Sequence, residues 1–154
     1  MTNDALGLIP VNESDLDYLY NLQCIEGIRE FALDCNIPKY DDHIKWFNNK
    51  LKSNTTKIFK IADNDNVIGV VRLDSLLDST KSIAEISLTI DPKYAGKGYA
   101  KRTISRIIKA TDLDTYHAVI HENNIASQRV FAANGFSYDS LYRPKFNLYI
   151  HHKG

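Results

Sequence analysis

Residues 83–109 constrain the fold of this chain more than any other stretch. In IAEISLTI, apolar and polar residues alternate, so Ala84, Ile86, Leu88 and Ile90 share one face of a strand and Glu85, Ser87 and Thr89 the other. Asp91-Pro92 and KYAGKGYA follow. A helix is then predicted in which Ala100, Ile104, Ile107 and Ile108 form an apolar stripe, with Lys101, Arg102, Arg106 and Lys109 largely outside it. Strand, glycine-rich turn and helix in that order can build an anion site from backbone alone. Gly96 and Gly98 lack a Cβ, so main-chain N–H groups can approach an anion, and the opening helix adds free amides and the positive end of its dipole. Taken alone, the turn also suits a plain tight connection.

Size and charge narrow the classes. At 154 residues a single domain buries roughly two-thirds of its unfolded surface, enough for a sizeable core. Lys plus Arg and Asp plus Glu number 19 each, so no overall field draws the chain to nucleic acid or an anionic membrane. No leader-like start and no apolar run long enough to span a bilayer occur, and a cytoplasmic protein is expected. Cys24 and Cys35 have neither redox nor zinc-site spacing, and reduced thiols are expected. His117 and His121 lie four apart on a predicted strand and its exit, with no Cys or acidic cluster to complete a metal site, so no metal is expected.

No repeat, linker or low-complexity tract divides the chain, and residues 1–154 are expected to form one domain. The predicted order begins with a strand over Leu6 to Ile9 and a helix capped by Ser14 with Asp17 as its box partner. A second helix starts near Asp41. Strands over Ile58 to Ala62, Val67 to Leu73 and the alternating segment, joined by turns at DNDN and at Asp78 to Ser82, suggest an antiparallel meander. After the glycine-rich helix come a strand over His117 to Ile120, a helix over Asn124 to Ala133 closed by Asn134-Gly135, and two closing strands, Phe136 to Tyr142 and Phe146 to Ile150.

With IDPKYAGKGYAKRTISRII in one half and HENNIASQRVFAANGFSY in the other, nearly the whole chain resembles the GCN5-related N-acetyltransferases, which move an acetyl group from acetyl-CoA to an amine. The resemblance implies an α/β (α+β) GNAT fold: a central mixed, mostly antiparallel sheet of six to seven strands, flanked by about four helices and splayed at the coenzyme-binding strand. The family signature is Gln or Arg, two residues, Gly, one residue, then Gly or Ala. It maps onto Ala95 to Ala100, with Ala95 departing from the pattern. The loop binds pyrophosphate chiefly through main-chain amides, so the departure is expected to weaken acetyl-CoA binding rather than abolish it, with Lys97, Lys101 or Arg102 available to compensate.

The resemblance further implies that Leu88, Thr89 and Ile90 offer backbone to the pantetheine arm, that Gly96, Lys97, Gly98, Tyr99, Ala100 and Lys101 surround the pyrophosphate, and that Asn124, Ser127 and Phe131 complete the coenzyme site. The plainer alternative is Asn124 as a helix N-cap and Ser127 as a solvated residue. Many relatives carry a Tyr acid seven residues after the position of Asn124, and Phe131 stands there instead. A thiol with a pKa of about 8.5 leaves tolerably as thiolate, so the loss is mild. Tyr138 or Tyr142 is a candidate replacement, and Glu85, on the polar face of its strand, is the candidate base through a water.

GIREFALDCNIPKYDDHIKWFNNKL, followed by IGVVRLD and EISLTID, resembles the branch acting on nucleotide-linked amino sugars. That likeness implies Arg29 on a diphosphate and His43 and Trp46 against a sugar or base. Packing roles at a core edge account for His43 and Trp46 as well. The expected partner is a small-molecule amine, with no nucleic acid and no membrane, acting on a monomer or homodimer. Acetylation of a nucleotide-linked 4-amino-deoxysugar leads. The alternatives are a protein N-terminus or small amine of ribosomal-protein-alanine, polyamine or antibiotic type, and a non-catalytic acyl-CoA-binding module.

Overall fold

The computed structural model describes residues 5–76 and 81–153. Seven strands form one sheet: β1 (Leu6–Pro10), β2 (Thr56–Asp63), β3 (Asn66–Leu76), β4 (Ile83–Ile90), β5 (Thr115–His121), β6 (Ser137–Arg143) and β7 (Phe146–His152). Their order is β1-β2-β3-β4-β5-β7-β6. Every neighbouring pair is antiparallel except β4 with β5. Among the described residues four α-helices accompany them: α1 (Leu16–Gln23), α2 (Tyr40–Lys52), α3 (Tyr99–Ala110) and α4 (Ile125–Ala132). The expected meander is β2-β3-β4. Of the turn expected over Asp78 to Ser82, residues 78–80 lie outside the described residues.

Alternation along the strands sorts the side chains onto two faces. On one, Val71, Leu73, Ala84 and Ile86 pack with Ile104 and Ile107 of α3 and Phe131 of α4. Ile104 and Ile107 are fully buried, each contributing about 1.5–3 kcal/mol of transfer free energy. On the other, Leu19 of α1, Phe47 of α2 and Ile58 of β2 form a second cluster, with Val70 and Trp46 at its edge. The sheet is therefore covered on both faces, and the helical stripe anticipated for α3 meets the core as expected.

The first helix begins differently from its sequence reading. The capping box sits at Asn12, not Ser14, and caps a short 3₁₀ turn, Glu13–Asp15, that leads into α1: the Asn12 side chain accepts from the Ser14 N–H at 2.9 Å, while Asp15 accepts from the Asn12 N–H at 2.9 Å. Asp15 is buried and also receives Lys60 at 2.8 Å, a tertiary contact that favours the earlier box over one ending at Asp17. α4 opens at Asn124, whose side chain accepts from the Ser127 N–H, and closes before Gly135, which takes a left-handed φ of 86°. Among the described residues no helix is long and apolar enough to cross a membrane.

Candidate active site

The parallel ladder between β4 and β5 holds for three residue pairs, Ile83 with Thr115, Ala84 with Tyr116 and Glu85 with His117. Beyond them β4 runs on to Ile90 and β5 to His121 without pairing, while the other edge of β4 stays bonded to β3 as far as Ile90. Backbone groups of residues 86–90 that point away from β3 thus face an open notch. An extended ligand can bond to them as a strand would. Leu88, Thr89 and Ile90 lie on this unpaired stretch, as the splayed strand was expected to provide.

At the end of β4 the chain enters the glycine-rich turn. Asp91 caps a short 3₁₀ turn over Pro92–Tyr94, and Gly96 and Gly98 then take left-handed φ values of 77° and 80°. A Cβ built on either glycine would meet only open space. α3 starts immediately after Gly98, and its first i to i−4 bond runs from the Arg102 N–H to the Gly98 carbonyl, so the amides of Tyr99, Ala100 and Lys101 precede the helical ladder. Free amides, a helix N-terminus and nearby Lys97 and Lys101 fit a pyrophosphate. Tyr99 is anchored by its hydroxyl to Asp63 at 2.5 Å, with the Arg102 guanidinium over its ring. Lys97 lies over Tyr94.

A cleft of about 640 Å³ connects the notch to the loop between α1 and α2. Leu88, Thr89, Asn124, Ser127 and Phe131 line one part of it, Glu85 and Arg72 its floor, and Arg29, His43 and Trp46 another part. Ile90 and the glycine-rich turn are not part of this lining. Eight sequence-derived residues from distant segments therefore share one cavity with the candidate base. Phe131 is 6% exposed and packs edge-on against Phe136 at 5.0 Å, so it belongs to the core as well as the cleft wall.

Electrostatics single out Glu85. It faces Asp74 across the β3–β4 ladder, and Arg72 faces Ser87 one step along. Asp74 accepts from Thr56 at 2.7 Å and from Arg72 at 2.7 Å, with Lys50 at 3.4 Å. Burial opposes its ionisation, yet these hydrogen bonds and cations prevail and hold Asp74 below the usual carboxylate range. The Glu85 carboxyl accepts no hydrogen bond among the described residues. Burial chiefly, and then the Asp74 charge, push its carboxyl upward, with Arg72 acting in the opposite sense. A desolvated carboxylate with free lone pairs is suited to take a proton.

The side chains expected at the acceptor are already engaged. Arg29 donates to the Gln23 side chain and to the Asp34 carbonyl, each at 2.6 Å, bracing the α1–α2 loop from within. Its Nε is buried without a partner among the described residues. His43 is 5% exposed, packed against Tyr20, Trp46 and Phe47. Burial lowers its pKa, against smaller opposing effects of the Leu16 backbone and Asp17. Trp46 carries His43 against its ring and the Arg72 guanidinium at 5.4 Å.

Tyr138 is not brought to the cleft. It stands 58% exposed on the edge strand β6, edge-on to Tyr149, and Tyr142 is 50% exposed on the same strand. Residues to which sequence reasoning gave no part in the cleft include Arg72, Phe31, Phe146 and His121, the last weighed only as a metal ligand; all are in the lining. Arg72 was detectable from strand alternation, since it shares the polar face with Asp74. Phe31 and Phe146 carry no comparable local signal.

The fold closely matches that of spermidine N-acetyltransferase from Vibrio cholerae solved with CoA and spermine, with a TM-score of 0.87, 19% identity and coverage of 98% of this chain and 97% of that one. A ribosomal L7/L12 alpha-N-protein acetyltransferase in complex with coenzyme A gives 0.80 at 15% identity, covering 99% and 96%. At these identities the likeness is one of fold. Among characterised proteins, a spermidine N(1)-acetyltransferase of Vibrio cholerae serotype O1 is 27% identical over 107 residues, spanning 69% of this chain and 61% of that protein. A [ribosomal protein bS18]-alanine N-acetyltransferase of Haemophilus ducreyi is 26% identical over 81 residues, spanning 51% and 54%. The match thus spans less than two-thirds of the length of either. Residues 5–137 match the acetyltransferase (GNAT) domain, and the chain belongs to that family.

Proposed function

We propose that the protein is an acetyl-CoA-dependent N-acetyltransferase that accepts a primary amine through the α1–α2 side of the cleft. The observation that carries this reading is the continuity of one cavity from the unpaired edge of β4, past Glu85, to the α1–α2 loop. Gly96 to Lys101 would hold the pyrophosphate, Leu88 to Ile90 the pantetheine arm, and Asn124, Ser127 and Phe131 the wall against which that arm lies. Bound acetyl-CoA supplies an activated acyl group on a thiol leaving group. Glu85 takes the proton from the incoming ammonium or from the nitrogen as it attacks, directly or through water, and its raised pKa brings it nearer the range in which a base is effective. The cavity holds donor and acceptor in one enclosure, so positioning supplies much of the acceleration.

For the acceptor, the best-supported class is a small amine or a peptide N-terminus. The curated relatives are named for spermidine and ribosomal-protein alanine, and Asp34, Asp42 and Glu85 offer carboxylates along the cleft to a cationic amine. A nucleotide-linked amino sugar is the second reading, favoured by Arg29 with its unpartnered Nε in the same cavity. Coenzyme A release, followed by thiol detection, separates them across polyamines, N-terminal peptides and UDP- or dTDP-linked 4-amino-sugars. Turnover on polyamines or peptides supports the first reading, and turnover confined to nucleotide sugars replaces it with the second. Acetyl-CoA binding without turnover on any amine would favour a non-catalytic acyl-CoA module.

A further inference from the structure

Phe131 has no proton to give and Tyr138 is turned away, so the leaving thiolate lacks the partner that the family signature led one to expect. The cleft contains another group able to serve it. His121 ends β5 on the far side of the notch from β4. Continuing the Glu85–His117 register by four residues sets His121 opposite Thr89, on the stretch of β4 left unpaired. Its Nδ1 accepts the backbone N–H of Asn123 at 3.0 Å. That bond assigns the proton of the neutral ring to Nε2. Phe31, at 5.1 Å, and Phe146, at 5.0 Å, lie against the same ring and fix its plane. Nε2 has no hydrogen-bond partner among the described residues. The ring is thus held in one tautomer and one orientation at the mouth of the notch, with a single donor unspent.

We propose that His121 is a catalytic residue that donates a hydrogen bond from Nε2–H to the departing sulfur of coenzyme A. This inference rests on the acetyltransferase reading and adds to it the group that stabilises the leaving charge. The amine nitrogen forms a bond to the acetyl carbon, the carbon–sulfur bond breaks, and the electron pair passes to sulfur. Glu85 receives the proton lost by nitrogen. His121 keeps its own proton and shares it with the thiolate, which later takes a proton from water, as a thiol of pKa about 8.5 does near neutrality. A neutral imidazole suits this task because preorganised donors stabilise developing charge without reorganising. The Asn123 N–H bond, which requires a lone pair on Nδ1, leaves Nε2 as the nitrogen that carries the proton.

Two substitutions isolate the donor. His121→Phe keeps a ring against Phe31 and Phe146 and removes both nitrogens. His121→Asn keeps an acceptor for the Asn123 N–H and withdraws the donor, because the amide Nδ2 ends one bond nearer the backbone than Nε2. The direct readout is the ionisation of the coenzyme A thiol bound to each protein, followed by the ultraviolet absorbance of the thiolate as pH is varied, alongside the dissociation constant by calorimetry. In the unaltered protein the bound thiol is expected to ionise about one pH unit lower than in either variant. kcat should fall by about tenfold to a hundredfold in both, with the coenzyme dissociation constant nearly unchanged. Equal thiol ionisation in the unaltered protein and in a folded variant overturns the inference, whatever the rates. If one variant fails to fold, the other decides. Failure of the unaltered protein to bind coenzyme A would remove the acetyltransferase reading and this inference with it, whereas binding with unshifted thiol ionisation removes only the role of His121.

Discussion

Asp74 and Glu85 face one another across the β3–β4 ladder, yet only Asp74 is satisfied by hydrogen bonds. Like charges directly opposite in a sheet disfavour joint ionisation. The cations and hydroxyl around Asp74 decide which carboxyl stays ionised most readily, leaving Glu85 as the one with the raised pKa. Asp74→Asn should therefore move the acid limb of the kcat/KM profile to lower pH, by removing a neighbouring charge and releasing Arg72 toward Glu85. An unmoved limb would separate the two carboxyls functionally.

Glu85→Gln should reduce turnover by about a hundredfold or more while coenzyme A affinity stays within about twofold of the unaltered value. Steady-state rates with calorimetry in parallel test this. Unaltered rates across pH would remove Glu85 from the chemistry.

Gly98→Glu puts a bulky anion at the left-handed position that closes the glycine-rich turn proposed to hold the pyrophosphate. The coenzyme A dissociation constant should rise at least about tenfold, measured by calorimetry on protein whose circular dichroism matches the parent.

Gly69 of β3 lies beside the end of β4, paired with Ile90, where a Cβ would run into the Thr89 carbonyl oxygen and come to 3.0 Å from the Ile90 Cα. Both obstacles are backbone and cannot swing aside. Gly69→Ala is expected to destabilise the protein by about 1–3 kcal/mol and to weaken coenzyme A binding, because the strand it displaces borders the notch. Denaturant melts and calorimetry read the two effects separately.

Burial lowers the pKa of His43 from its ordinary 6.5. As pH falls, the unfolded chain takes up this proton first, so the contribution of His43 to stability is present above the ordinary value and is lost as pH drops through the lowered folded one. His117 acts in the same direction, lowered by burial with smaller effects from Asp139 and His152. His43→Gln should flatten the fall in stability on the acid side of neutrality, as followed by urea melts at several pH values.

Much of this was legible in the chain because local patterns and tertiary packing agree. The alternation from Ala84 to Ile90, the stripe through Ile104 and Ile107, and Gly135 closing α4 each specify an element without distant help. Asn124 was correctly placed at a helix start for the same reason. The first capping box was misplaced because Asp15 is recruited by Lys60, a residue 45 positions away. His43 and Trp46 were offered as contacts for a sugar or as core-edge packing; the Trp46 and Phe47 rings beside His43 follow from helix spacing, whereas Tyr20 and Arg72 reach them through tertiary packing that the sequence pattern does not display. Tyr138 was a candidate because tyrosines carry protons, and nothing local marks β6 as the outer edge of the sheet.

Three rungs join β4 to β5, so the four strands β1 to β4 and the three strands β5 to β7 meet at a short seam. A ligand spanning the notch would act as a splint across that seam. Amide hydrogen exchange at residues 86–90 should accordingly slow when coenzyme A is added, and thermal melting should rise with its concentration. In mechanical terms, the missing rungs make the sheet's shear stiffness depend on what is bound.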